Sequence, residues 1–236
     1  ETTVILDEVQ KVPALLDEVH RLMEAKGWRF VLCGSSARKL RRGGADLLAG
    51  RALTLTMEPF SFAELGKAFD LGQALEWGLL PVVWSDIALA PDILSSYLDT
   101  YLREEIREEG AVRRLPPFLR FLQIAGQVNG QVMNLQNISR EAGVPRSSVE
   151  GYFSVLYDTL LAHSLPAYRP SLKVREAAHP KFFWTDAGLA RAAAGWLRDP
   201  VDRLWKGASL ETLVYHELRT YNTVQQRHRP LAYYRT

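Results

Sequence analysis

Val4-Ile5-Leu6-Asp7-Glu8 is an apolar run, β-branched at its first two positions, that ends in two adjacent carboxylates. Such a run predicts a buried parallel strand, and acids at its C-terminal end fall on the sheet edge where α/β proteins bind ligands. There Asp7 would hold a magnesium ion through water, and Glu8 would polarise the water that attacks a γ-phosphate. A second apolar run, Phe30-Val31-Leu32-Cys33, closes on Gly34-Ser35-Ser36. Two neighbouring strands are therefore expected to finish in polar groups at one edge. Ser35 would hydrogen-bond a γ-phosphate there, or Ser35 or Ser36 would N-cap the following helix; the two roles are compatible.

Working outward, residues 1–60 read as strand, helix, strand, helix, strand. Leu15, Leu16, Val19, Leu22 and Met23 have helical spacing within Pro13–Lys26, and Gly27 ends that helix. A short basic helix is expected over Ala37–Arg42, and the alternation of Leu53, Leu55 and Met57 predicts a third strand over Arg51–Met57. This alternation of strands and helices implies a parallel sheet with helical cover. Arg51 follows the flexible Gly50; its guanidinium would neutralise charge on a transferred phosphoryl in the same subunit or a neighbour, or lie on the surface.

Residues 61–130 read as a helical lid or linker. Ser61 with Glu64 forms a capping box. Pro91–Glu109 is amphipathic through Leu94, Tyr97, Leu98, Tyr101, Leu102 and Ile106, with a solvated Arg/Glu face behind. Pro116-Pro117 is expected to break the chain before a helix at Phe118–Val128. Over residues 131–200, a helix (Leu135–Ala142), a tight turn (Gly143-Val144-Pro145), a longer helix (Arg146–Leu161) and two β-like segments (Ala162–Tyr168, Lys181–Thr185) follow the order of a winged helix. Asp186 then caps Ala187–Ala194. Residues 201–236 carry Gly207, an amphipathic helix at Leu210–Tyr221 and a strand at Leu231–Arg235, too little to bury a core alone.

Composition bounds the function. The chain has 236 residues, 47% of them hydrophobic and 24% charged, in the range of globular proteins. A net charge of +2 argues neither for nor against nucleic acid. The one cysteine, Cys33, excludes an internal disulfide, suits a reducing cytoplasmic setting and is expected to be a small buried hydrophobe. No apolar run is long enough to cross a bilayer, and the histidines show no metal-ligand spacing. DNA contacts, if made, would come from Arg146 and the wing residues Arg169, Lys173, Arg175 and Lys181, or from Arg38-Lys39-Arg41-Arg42. A winged helix that only packs against protein accounts for the pattern equally well.

Together, Val4–Pro13, Cys33-Gly34-Ser35-Ser36, Leu48-Ala49-Gly50-Arg51 and Glu58-Pro59-Phe60-Ser61-Phe62-Ala63-Glu64-Leu65 resemble a family of prokaryotic AAA+-like P-loop ATPases with a C-terminal domain of unassigned role. Tyr97–Leu102 resembles its linker helix, and Pro180–Leu189 the strand and helix after its winged helix. Gly207, Glu211, Val214, Glu217-Leu218 and Tyr233-Tyr234-Arg235 resemble the start of a restriction-endonuclease-like fold. The resemblance implies an α/β protein: part of a parallel P-loop NTPase-type sheet (1–60), a helical linker (61–130), a winged helix (131–200) and the opening of a nuclease-like α/β domain (201–236).

It further implies ATP and Mg2+ as cofactors, Asp7 and Glu8 as Walker B acids, Ser35 as sensor and Arg51 as arginine finger. A DNA or protein partner at the winged helix, a homo-oligomer, a cytoplasmic location and no membrane association complete that expectation. The departures are specific. No Gly-x4-Gly-Lys-Ser/Thr occurs, and around Gly66-Lys67 the first glycine is replaced by Ser61 and the hydroxyl by Ala68. This piece alone is therefore expected to bind ATP weakly or not at all, the rest of the cradle being expected upstream. Glu211 matches a first-helix acid of the nuclease-like fold, but its later Asp and Glu-x-Lys do not occur. The rival reading is a non-enzymatic winged-helix DNA-binding regulator whose α/β part is a scaffold.

Overall fold

The structure, a computed structural model, describes residues 2–34, 52–53, 55–108, 115–168, 179–227 and 229–234, with the backbone alone for residue 10 and residues 101–108. The chain divides into two units, Glu1–Leu55 with Asp158–Leu160 and Thr56–Tyr157 with Leu161–Thr236. The protein is mixed, mostly helical, with small sheets.

In the first unit β1 (Thr3–Leu6) pairs in parallel with β2 (Arg29–Leu32), in a register running from Thr3↔Arg29 to Leu6↔Leu32. Parallel neighbours need a crossover, and α1 (Leu15–Lys26) supplies it. Gly27 adopts φ 63° and returns its N–H to the Met23 carbonyl, 3.1 Å away, which stops the helix where the sequence places the stop. Leu16 and Val19 are buried from α1, and Val9 from the turn after β1.

Three expectations fail here. The strands are not buried on both faces: Val4, Leu6, Phe30 and Leu32 are half-buried, whereas Ile5 is 69% and Val31 47% exposed. Among the described residues α1 covers one face of this sheet only, and strict alternation of burial is the result. Cys33 is exposed rather than a buried hydrophobe, because it lies beyond β2 at the sheet edge. No third strand forms among residues 52–53 and 55–57; Leu53, Leu55 and Met57 are exposed, and among the described residues no strand pairs with them. The expected helix at Ala37–Arg42 lies outside the described residues.

The second unit opens with α2 (Phe62–Leu65), where both arms of the Ser61–Glu64 capping box are made. It continues through α3 (Leu71–Trp77), α4 (Pro81–Trp84), α5 (Ala90–Glu108) and α6 (Leu115–Gln127). The prolines at 116 and 117 do not break the chain before this last helix; they lie in its first turn, where no amide needs an intrahelical acceptor. Next come α7 (Leu135–Ala142), Gly143 at φ 64°, and α8 (Arg146–Asp158), which stops short of Leu161 because Leu160 turns left-handed at φ 61°. β3 (Ala162–Leu165) and β4 (Lys181–Trp184) pair antiparallel, and Val132 bridges Lys181 as a third short contact. Asp186 caps α9 (Ala187–Ala194), as expected.

The core is aromatic. Phe121 meets Phe153 edge-on at 4.8 Å, Phe118 meets Tyr152 at 5.0 Å and Phe153 meets Phe182 at 4.9 Å. Trp184 is fixed by its indole N–H on the Ala125 carbonyl at 3.0 Å and its amide on Asn129 Oδ1 at 2.9 Å. The Ala-rich α9 lies directly on α6, so close that a Cβ on Gly126 would sit 2.3 Å from the Ala194 nitrogen.

The last helix, α10 (Arg203–Val224), is longer than expected, and Gly207 lies inside it rather than before it; the Asp202 carboxylate caps it through the Trp205 amide at 2.7 Å. It packs on α3 and α9. The strand expected at Leu231–Arg235 reduces, within the described residues, to one parallel bridge between Tyr233 and Ala167.

Candidate functional site

The first unit sets its acids at one tip. One bond beyond the strands, the Cys33 amide donates to the Leu6 carbonyl at 2.9 Å and the Val9 amide to the Cys33 carbonyl at 3.1 Å. Asp7 and Glu8 fall between these two ties, where β1 turns back, beside the C-terminal end of β2. Because the strands are parallel, β2 leaves through Cys33 and Gly34 at that same edge. Buried Val9 anchors the turn.

Asp7 is exposed, and its Oδ1 accepts the Glu8 amide at 3.0 Å. Glu8 is left-handed, at φ 52° and ψ 38°, a conformation that costs a non-glycine residue about 1–2 kcal/mol. It leads a 3₁₀ turn over Val9–Lys11, and its Oε2 pairs with Lys11 Nζ at 3.4 Å. Strain of this kind gathers at functional sites, because the surrounding structure must hold it in place.

The donor set fits magnesium in part. A hard cation that keeps several waters needs only one or two carboxylates from protein, with phosphate oxygens completing its shell, and Asp7 offers one exposed carboxylate. The described residues contain no group of three or more His, Cys, Asp or Glu that could hold a metal unaided. A lysine-bearing phosphate loop is not among the 236 residues. Ser35 and Arg51 lie outside the described residues, so the acids are the members of the expected set whose placement is seen.

The basic set is split. Arg146 opens α8 and donates to Glu150 at 2.9 Å. Lys181 opens β4, pairs with Glu211 and lies over the Phe183 and Tyr233 rings. It lines a cavity of about 510 Å³ with Asn134, His179 and Tyr233. Both cations thus face a carboxylate. Arg169, Lys173 and Arg175 lie outside the described residues, as does the 38–42 cluster.

Sequence reasoning missed a polar seam along α10. Arg219 grips Glu58 with two bonds of 2.8 and 3.2 Å, and the Glu58 side chain is only 7% exposed. His216 Nε2 lies 3.0 Å from the Phe60 carbonyl, and the Phe62 amide donates to Glu217 Oε1 at 2.7 Å. Three neighbouring side chains of one helix thus bind the Glu58–Phe62 segment. Close by, buried Asp186 accepts the Leu79 amide at 2.6 Å on one oxygen and the Leu189 amide at 3.1 Å on the other. Burial pushes its carboxyl up, and those amide donors pull it part of the way back. His163, 2.8 Å from Thr185 Oγ1, is held neutral: burial first, then the nearby Arg219 and His216, bring it down to about 3. The sequence signal for the seam was the Glu58-Pro59-Phe60-Ser61 string, but its partners lie some 155 residues or more along the chain.

Comparison with known proteins fits this division. Residues 68–199, more than half of the chain, match the family model described as "Domain of unknown function (DUF8612)". The chain belongs to the DUF8612 family. Residues 1–66 match a model described as an AAA domain, so the front of this DUF8612 protein, Asp7 and Glu8 included, is AAA-like and of a nucleotide-binding class. A Haemophilus influenzae protein named "Uncharacterized protein" is 27% identical over 235 residues, covering 91% of this chain and 56% of its own length. The chain thus spans about half the length of the curated relative it matches. No solved structure matches it significantly. Among the described residues, no helix is long and apolar enough to cross a membrane.

Proposed function

We propose that this chain is part of an AAA-like, magnesium-dependent ATPase that couples nucleotide state to its C-terminal half. The observation that carries the reading is the placement of Asp7 and strained Glu8 at the C-terminal tip of a parallel strand, inside the segment that matches an AAA domain. Asp7 would hold the metal, which supplies charge neutralisation on the phosphates when it is bound with ATP. Glu8 would take the proton of the attacking water. From the sequence, Ser35 would contact the γ-phosphate and Arg51 would complete a site in a neighbouring copy, which requires a homo-oligomer. The phosphate cradle would come from residues upstream of Glu1.

Residues 61–130 act in this reading as a helical linker. The order α6, α7, turn, α8, β3, β4 supports a winged helix over residues 131–200, and α10 with the extended residues near Tyr233 would open a nuclease-like domain from residue 201. The Glu58–Phe62 segment lies near the end of the AAA-like match and is bound three times to α10. Movement at the front would reach α10 through these bonds. The rival reading, a DNA-binding regulator, draws no support from Arg146 and Lys181, each of which faces a carboxylate.

The test uses a chain extended to the relative's length. Glu8→Gln is expected to keep ATP binding and to lower turnover at least 100-fold, the size of a general-base contribution. Asp7→Asn is expected to weaken magnesium-dependent nucleotide binding itself. Unchanged turnover in Glu8→Gln would overturn the proposal.

A further inference from the structure

Four separate parts of the chain meet in a series of hydrogen bonds that is one step short of a closed circuit. The Phe60 amide donates to the Leu79 carbonyl at 2.9 Å, and the Leu79 amide donates to Asp186 Oδ2 at 2.6 Å. The Phe60 carbonyl faces His216 Nε2 at 3.0 Å. A carbonyl oxygen only accepts, so Nε2 carries the proton, and in the neutral imidazole Nδ1 is left an acceptor. His216 is 4% exposed, and its Nδ1 has no hydrogen-bond partner among the described residues. A buried acceptor costs free energy unless something donates to it.

The open step, from His216 Nδ1 to Asp186, coincides with a cavity. Both residues line a space of about 10 Å³, the room one water needs. The hydroxyls that share this lining are engaged elsewhere: Thr212 Oγ1 donates to the Ala208 carbonyl at 2.9 Å, and Thr185 Oγ1 lies 2.8 Å from His163 Nε2. Gly78, at φ 79°, lines the space too, and a Cβ there would collide with the Asp186 carboxylate. The glycine leaves that carboxylate room to reach in.

We propose that this cavity is a binding site for one water molecule, which bridges His216 Nδ1 and Asp186 and closes the circuit. A water has two protons to give, and the site meets it with two acceptors that cannot bond each other directly. One proton goes to Nδ1 and the other to an Asp186 oxygen. The carboxylate already accepts the Leu79, Leu189 and Gly188 amides. An ionised carboxylate has about four acceptor positions, so one is left for the water. Were Asp186 protonated, its own O–H would donate to the water's oxygen, and the bridge would stand. A metal cation fits worse, because it needs several more oxygen ligands than one carboxylate already bonded to amides. Phe60 belongs to the AAA-like match, Leu79 and Asp186 to the DUF8612 match, and His216 to α10. Hydrogen bonds in a connected series polarise and strengthen one another. The water thus makes Asp186 a positioning residue, acting through His216 on the Phe60 carbonyl. None of this depends on the ATPase reading.

A crystal structure of the chain extended to the relative's length, with its waters, tests the bridge, and nitrogen-15 spectra of the histidine-labelled protein read it in solution at neutral pH. One density peak is expected within about 3.2 Å of both His216 Nδ1 and an Asp186 oxygen. The spectra are expected to show Nε2 protonated and Nδ1 shifted upfield of a free acceptor nitrogen. A cavity without density, a peak with a metal ion's ligand shell, or a proton resident on Nδ1 would each overturn the proposal. His216→Phe is expected to lose the peak, since one acceptor does not hold a buried water. It should also speed exchange of the Phe60 amide, which His216 does not touch, by about 10-fold. Unchanged exchange there would overturn the circuit and the positioning role with it. Should that variant fail to fold, the density and the spectra of the unsubstituted protein decide alone.

Discussion

The two units differ in how much they bury and in what they carry. Among its described residues the first unit buries Val9, Leu16 and Val19 and leaves Ile5 and Val31 in solvent, yet it holds the paired acids and the one strained glutamate. The second packs Phe118, Phe121, Tyr152, Phe153, Phe182 and Trp184 into one aromatic core and holds Asp186 bonded, His163 neutral and Glu58 paired with Arg219. Stability and candidate chemistry are therefore housed apart. The proposed nucleotide site lies on a sheet edge that the described residues cover lightly, and the dense core lies in the other unit.

The sharpest way to break this contrast is to damage each core in turn. Phe121→Ala, at a fully buried position, should cost about 4 kcal/mol, whereas Leu16→Ala on α1 should cost about 2 kcal/mol. Five of the six tryptophans (77, 84, 184, 196 and 205) lie in the second unit, so denaturant titration followed by fluorescence reads Phe121→Ala there, and amide exchange along α1 reads Leu16→Ala in the first. Equal losses at the two sites would remove the distinction. Gly188→Ala is next, at about 3 kcal/mol, because its Cβ would stand 2.1 Å from the Trp77 carbonyl oxygen, a backbone atom that cannot step aside.

Acid stability follows. His163 is down at about 3 in the folded chain against an ordinary 6.5, so unfolding takes up a proton between those values. Its contribution is fully present above pH 6.5 and is lost as pH falls toward 3, by about 2 kcal/mol once residual solvent at this half-buried ring is allowed for. Asp186, shifted upward, acts in the opposite sense, its share shrinking as pH rises. The difference between wild type and His163→Gln isolates the histidine, and the variant's stability should fall less steeply below pH 6.5. The smallest effect is expected in the first unit. Glu8→Gly should raise stability by about 1 kcal/mol by relieving the left-handed backbone, measured by thermal melting, while removing the proposed base.

How far the sequence could be read follows the same division. Helices with local signals were legible: the capping box at Ser61, Gly27 and Gly143 as stops, and Asp186 as a cap all act within four residues. The parallel pairing of β1 with β2 and the acids at their shared edge were legible too, since an apolar run ending in Asp-Glu carries its own direction. The third strand was not, because alternation at Leu53, Leu55 and Met57 says nothing about whether a neighbour is there to pair with. Gly207 and Pro116-Pro117 misled for a related reason: each is a breaker only in an isolated segment, and helix position and packing decide its effect. The binding of Glu58–Phe62 to α10 is wholly tertiary, and no local pattern announces that Arg219 will meet Glu58.

The most direct test of the central claim, that the Asp7–Glu8 tip is a nucleotide site, is amide hydrogen exchange on the chain extended to the relative's length, with and without Mg-ATP. The Glu8 amide on Asp7 Oδ1 and the Val9 amide on the Cys33 carbonyl should become at least 10-fold better protected when nucleotide is added. Unchanged exchange at both amides, in protein shown to have bound the nucleotide, would contradict the account.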